Sequence, residues 1–251
     1  MFLEEYETKI NEIIEQQGLQ SLDDACFGSK NVLQLFSEIE KTRAQVNKEG
    51  VFDFMKDDLI FSVSPALKFS IANLYLYNPY TNKLNEEFKV VGNTELPTYL
   101  VTTGEKRYLY YLNITFEKLY NYWDRIGDLL NLCFDLKIPE REVYFARAIE
   151  ELGKKDIKDE AFYWFKVFKE NDYSNYINRI RRRIVHYRQK ETYFLVEFLN
   201  SVGKEDCRGR IDKLQIEKDS YLRLLTDQLK IANQGFEKMI ELIKRHGGFE
   251  E

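Results

Sequence analysis

At 251 residues and 44% hydrophobic composition, the chain is long and apolar enough to bury a substantial core, as one large domain or two small ones, which excludes an extended disordered polypeptide. Twelve Gly and four Pro stand against 18 Phe and 17 Tyr, a balance that describes long helices around an aromatic core. The net charge of -5 works against nucleic-acid binding by the surface as a whole, so only a local basic patch could support it.

Cys26, Cys133 and Cys207 are odd in number, far apart and without a C-x-x-C pair, so neither a disulfide framework nor a zinc site is expected. The acidic start Met1-Phe2-Leu3-Glu4-Glu5 lacks the basic and apolar regions of a signal peptide, and no unbroken apolar run approaches the ~18 residues of a membrane span. A cytoplasmic protein away from the membrane is the expectation. None of the phosphate-loop, dinucleotide, nucleophile-elbow or zinc-protease signatures occurs, and no cofactor or metal is expected.

In chain order, Leu3, Tyr6, Ile10 and Ile13/Ile14 recur at helical spacing, and Gly18 suits the end of a first helix. Ser29 can cap a second, carrying Val32, Leu35, Phe36 and Ile39 toward Gly50, and Pro65 suits the first turn of a third that runs to Asn78-Pro79. Residues 77–103 hold turn signals without a fixed period and read as loop or a short hairpin joining two halves. The strongest periodicity follows: Leu109, Leu112, Phe116, Leu119, Trp123, Ile126, Leu130 and Cys133 step by alternating three and four, predicting one helix over 105–136. Shorter helices are expected over 140–152 and 158–169, then a basic helix over 173–199. A last long helix takes its stripe from Ile211, Leu214, Tyr221, Leu225, Leu229, Ala232, Phe236, Met239 and Ile243. The class is all-α, a helical bundle in residues 104–251 with an N-terminal helical region of unknown role in 1–103.

The basic helix carries the chemistry. From Arg179 to Lys190 there are six Lys and Arg residues and no Asp or Glu. At about 100° per residue, Arg179, Arg182, Arg183 and Lys190 fall within about 60° of His186, while Tyr173, Tyr176, Ile177, Ile180, Ile184 and Tyr187 cluster on the far side. The histidine therefore belongs to the basic face and not to the buried stripe. Neighbouring arginines disfavour the imidazolium, leaving a neutral base that can accept a proton, and guanidiniums beside it suit phosphodiester chemistry. The plainer alternative is a solvated charged face, or arginines paired with acidic helices elsewhere.

The run Arg181-Arg182-Arg183-Ile184-Val185-His186 resembles the R-x(4-6)-H motif of the HEPN superfamily. The resemblance implies an all-helical homodimer, related to metal-independent endoribonucleases, toxins and inactive RNA-binding proteins. It also implies that His186 acts as acid or base on the scissile phosphate with Arg181, or with Arg179 at a spacing of six. Arg181 lies about 140° from His186 on a regular helix, whereas Arg179 and Arg182 share its side, so all three are candidates. Arg183, Arg188 and Lys190 are the expected RNA contacts. The pattern further implies an acidic residue on an early helix that orients the arginine, a place that Asp124 or Asp128 can fill, with solvated carboxylates paired to Arg125 as the alternative. Gly127 between them costs a helix roughly 1 kcal/mol relative to Ala and marks a close backbone approach.

The reading is a HEPN-like dimer that binds RNA through this helix and cleaves it without a metal, as toxins and defence proteins do, with an antitoxin-like protein as a further partner. Two alternatives stand beside it. One is a non-catalytic dimeric interaction or nucleic-acid-binding module. The other is a Mg-dependent nucleotide pyrophosphatase built on helical carboxylates such as Glu117, Asp124 and Asp128.

Overall fold

The computed structural model describes residues 2–42, 51–86, 88–91, 94–99, 101–186 and 189–247. It is all-α, and the strands it contains are two short antiparallel hairpins. Helix α1 spans Phe2–Gln17 and ends at Gly18, whose φ of +58° is the left-handed conformation that closes a helix C-terminus. Strands β1 (Cys26–Phe27) and β2 (Lys30–Asn31) pair before α2 (Val32–Thr42). The expected continuation of α2 toward Gly50 lies outside the described residues.

The third expected helix starts earlier than its sequence signal. Helix α3 (Val51–Asp58) passes through a π-helical turn, Leu59–Val63, directly into α4 (Ser64–Tyr77). Pro65 does not begin this helix but sits inside it, where it lacks an N–H and crowds the carbonyl four residues back. The wide turn ends just before it, and the Ser64 N–H there reaches back to Leu59 O. An 18-residue window within Asp53–Tyr80 also reaches a mean hydropathy of 1.4, enough by length and composition to cross a membrane. Scattered Ser, Asn and Lys68 hide that apolar character from a search for unbroken runs. Over half of the window, 56%, is buried in the structure, as expected of a core helix.

Strands β3 (Phe88–Val91) and β4 (Thr94–Pro97) form the hairpin anticipated in the 77–103 join, in the register Val91 to Thr94. The long helix α5 then runs over Thr103–Phe134, and every residue of its seam from Leu109 to Cys133 is buried. After a 3₁₀ turn come α6 (Phe145–Leu152) and α7 (Glu160–Phe168). The expected basic helix is not continuous. It consists of a π-helix over Lys169–Asn178, α8 (Arg179–His186) and α9 (Lys190–Ser201). Helix α10 (Cys207–His246) closes the chain, with its predicted stripe from Ile211 to Ile243 buried.

The chain divides into two compact units. The first comprises Met1–Leu19, Phe69–Phe116 and Arg181–Asp227; the second comprises Gln20–Lys68, Glu117–Ile180 and Gln228–Glu251. In the first, Phe116 packs edge-on against Tyr221 at 5.6 Å, and Tyr75 shares a hydrogen bond with Thr226 at 3.1 Å. It also buries an ion pair. Lys218 Nζ lies 2.8 Å from both oxygens of Glu105, and the two residues are 1% and 0% exposed. Thr102 Oγ1 caps α5 by accepting the Glu105 N–H at 3.1 Å.

In the second unit, Trp123 is fully buried among Phe168 at 4.1 Å, Phe145 at 5.1 Å and Trp164 at 6.4 Å between ring centres. Tyr122 donates to Ala232 O at 2.9 Å, and Gly235 lies so close to the Trp123 ring that a Cβ there would overlap it. Gly235→Ala should therefore lower the melting temperature although alanine is the better helix former. A thermal melt at or above wild type would show that the indole moves aside without cost.

Candidate nucleic-acid interface

Helix α8 is short and sharply two-sided. In the second unit, Arg179 at its start is exposed; in the first, Arg182 and Arg183 are exposed, Arg181 is half-buried and Ile184 is 6% exposed. The division between basic and apolar faces expected from the spacing is thus present at these positions. Position 186 is the last residue of the helix, four and three residues after Arg182 and Arg183, so those two positions share its side of the cylinder. The His186 side chain and the whole of Arg188 lie outside the described residues. Cationic side chains in the final turn also suit the negative end of the helix dipole.

The π-helix before α8 has no counterpart in a 3.6-residue pattern. Its wide turns still bury Tyr173 and Ile177, with Tyr173 stacked on Tyr120 at 6.0 Å and tilted against Phe145 at 4.9 Å. Gln228 donates to Asp172 at 3.2 Å on the polar side. π-Helical stretches are rare and concentrate at functional places, and this one leads directly into the arginines.

The two candidate carboxylates of α5 lie in the second unit and have local partners. Asp124 Oδ1 accepts the Phe145 N–H at 3.3 Å, so it caps α6 from a neighbouring helix where Tyr144 supplies no side-chain cap. Asp128 is 9% exposed and pairs with Arg125 at 2.6 Å, and Arg125 in turn holds Asp58 at 2.6 Å. Burial pushes the Asp128 carboxyl up, and the Arg125 guanidinium only partly offsets it. Gly127 marks a close approach, as its position suggested. A Cβ built there would stand 2.9 Å from both Cα and N of Phe145. Among the described residues, no group of three or more His, Cys, Asp or Glu side chains comes together as a divalent cation site would require.

Lys190, expected on the RNA-facing side, occupies a different place. It is 7% exposed, because α8 ends at 186 and α9 starts a new helix whose first residue turns inward. Its ammonium donates to Tyr221 Oη and lies 3.3 Å from Glu217 Oε1, with the rings of Tyr221, Tyr193 and Phe194 at 4.4, 4.6 and 5.7 Å. Lys190 is therefore a buried structural cation and not a phosphate contact.

A family model described as HEPN_Cthe2314-like HEPN matches residues 66–245. The chain belongs to the HEPN family. The match opens in α4 and closes at the end of α10, so it takes in both long helices and the arginine helix. No curated protein and no solved structure matches the chain. At the level of the family, membership is consistent with ribonuclease or nucleotide-binding activity.

The HEPN chain holds a cluster at the start of α9 that sequence reading did not assemble: Asn113 of α5, Lys190 and Tyr193 of α9, and Glu217 and Tyr221 of α10. Only the i, i+4 spacing of Glu217 and Tyr221 and a polar Asn next to the apolar seam could have signalled it. Burial pushes the Glu217 carboxyl up, but hydrogen bonds from Tyr221 and Tyr193 and the Lys190 charge outweigh it, so the carboxyl ends below its ordinary value. A depressed carboxylate contributes stability above its unfolded value, near 4.5, and loses it as pH falls through the lower folded value. Glu217→Gln should thus lower stability at neutral pH and flatten the loss below about pH 4.5. Parallel acid-denaturation curves for the two proteins would contradict this.

Proposed function

We propose that this HEPN protein is a cytoplasmic homodimer that binds RNA through α8 and cleaves it without a metal ion. The observation that carries the reading is the exposure of Arg182 and Arg183 on a helix that ends at His186, in a chain whose net charge is -5. Exposed arginines concentrated on one short helix supply a local positive field on a chain whose net charge is negative. In the proposed reaction His186 takes the proton of the ribose 2′-hydroxyl as its oxygen attacks phosphorus. The bond to the 5′-oxygen then breaks, and that oxygen leaves with the proton that the His186 imidazolium gives up, which restores the neutral base and leaves a 2′,3′-cyclic phosphate. Guanidiniums from Arg182, with Arg179 or Arg181, would carry the charge that builds on the non-bridging oxygens. A toxin or defence role with an antitoxin-like partner is part of this proposal. The motif's presence in toxins of the superfamily supports it.

The test is cleavage of a mixed RNA pool by wild-type and His186→Ala protein, in EDTA and again with Mg²⁺. Cleavage in EDTA that disappears in the variant, with RNA affinity nearly unchanged, is the expected result. Arg182→Ala and Arg183→Ala should each reduce affinity and lower the slope of binding against salt by about one phosphate contact. No cleavage in either buffer, with binding retained, would replace the enzyme by a binding module. A monomer by light scattering would remove the dimer.

A further inference from the structure

The start of α9 is held by residues from two other helices. Gln189, the residue before α9, has an extended backbone (φ -60°, ψ 156°) and provides no side-chain cap. The amide of Lys190 would then lack a partner at a buried helix start. Asn113 supplies it: its Oδ1 accepts the Lys190 N–H at 3.1 Å, and its Nδ2 donates to Glu191 Oε2 at 3.3 Å. The side chain of Lys190 is fixed from α10, since its ammonium meets Glu217 and Tyr221 while Tyr193 donates to Glu217 Oε2 at 2.8 Å. Asn113 itself is 9% exposed. Lys190 is thus clamped at its backbone by α5 and at its charge by α10.

Three residues separate the last residue of α8 from the first of α9. A connection that short tethers His186 within about four Cα–Cα steps of the clamp. The last turn of α8 also stands close to the cluster electrically, for the Arg183 charge bears on Lys190, Tyr193 and Tyr221. We infer that Asn113 is a positioning residue for His186: by closing the start of α9 it fixes the end of α8 on which the histidine stands. Asn113 touches no substrate in this scheme. It acts through the backbone, and its catalytic consequence rests on the proposed nuclease reading.

The experiment uses full-length protein carrying His246→Gln, so that His186 is the single remaining imidazole. Asn113→Ala and Asn113→Asp are compared with that background by amide exchange at Lys190, by the imidazole proton resonances, and by cleavage of single-stranded RNA. Asn113→Ala should speed exchange at Lys190 about fivefold or more and shift or broaden the His186 resonance. It should also lower kcat about 10- to 100-fold with KM within about twofold. Asn113→Asp, made together with Glu191→Gln so that no second carboxylate faces the new one, keeps an acceptor for the Lys190 amide and should restore all three. Should the background protein cleave no RNA, the nuclease reading fails, while exchange and resonance still decide the positioning. A folded Asn113→Ala protein with an unmoved His186 resonance overturns the inference, as does an Asn113→Asp/Glu191→Gln protein no better than the alanine. If Asn113→Ala does not fold, Glu217→Gln takes its place. It should displace the same resonance, and an unmoved one overturns the inference.

Discussion

Replacing Glu105 by alanine should cost about 3–5 kcal/mol, a large share of the total stability of a domain. Glu105 and Lys218 are 0% and 1% exposed, so truncating the acid strands an ammonium ion that water cannot reach. The loss extends beyond the pair. Glu105 Oε2 also accepts the Asn82 N–H at 3.0 Å, Oε1 accepts from Tyr99 Oη at 3.2 Å, and Lys218 donates to Asn82 O at 2.7 Å. Burial and the Glu105 charge together push the Tyr99 phenol well up, so it stays a donor across the accessible pH range. These extra bonds separate the site from pairs that hydrophobic residues can replace. Glu105→Leu with Lys218→Met should be milder than the sum of the single changes but still destabilising, because the Asn82 amide and carbonyl lose their partners. Denaturant titration of the four proteins measures the coupling. A Glu105→Ala loss under 1 kcal/mol would mean that the pair is hydrated in solution.

Gly127→Ala should destabilise the protein by about 2 kcal/mol, against the sign that helix propensity alone gives. Alanine in mid-helix gains about 1 kcal/mol over glycine. Here the added carbon would lie 2.9 Å from the Phe145 Cα and N and 3.1 Å from the Tyr144 carbonyl carbon, all of them backbone atoms. Backbone cannot rotate away as a side chain can, so α5 and the start of α6 must separate, and overpacking of this kind costs about 1–3 kcal/mol or more. The Asp124 bond to the Phe145 N–H, already 3.3 Å long, should weaken with it. A thermal midpoint several degrees below wild type is the expected reading for a chain this long, whereas a raised midpoint would show that propensity decides at this position.

These two sites mark how far the sequence could be read. The seams of α5 and α10 were legible because a buried face repeats every three to four residues, and Leu109 through Cys133 and Ile211 through Ile243 are buried as their spacing requires. The close approach at Gly127 was legible because a glycine in mid-helix needs a reason. The motif Arg181 to His186 pointed to the HEPN family, and the exposure of Arg182 and Arg183 follows the same helical arithmetic. That arithmetic failed where the helix stopped being regular. The extended backbone at Gln189 interrupts the helical count, so extrapolating the face of α8 forward to Lys190 set it among the phosphate contacts when it is buried. The partners of Glu105 and Asn113 were illegible for another reason. Apart from Tyr99, they come from residues 23–113 positions away in the chain, and no local period reports a tertiary hydrogen bond.

The way each compact unit draws on three separated chain segments has a consequence for synthesis. The first unit needs residues 1–19, 69–116 and 181–227, and the second needs 20–68, 117–180 and 228–251. While the ribosome works through the first hundred residues, α1 has only part of its packing surface available, and the Lys218 partner of Glu105 is added 113 residues after it. Neither unit can finish early. The nascent chain must therefore carry exposed apolar seams until α10 arrives, a period in which chaperone capture and aggregation compete with folding.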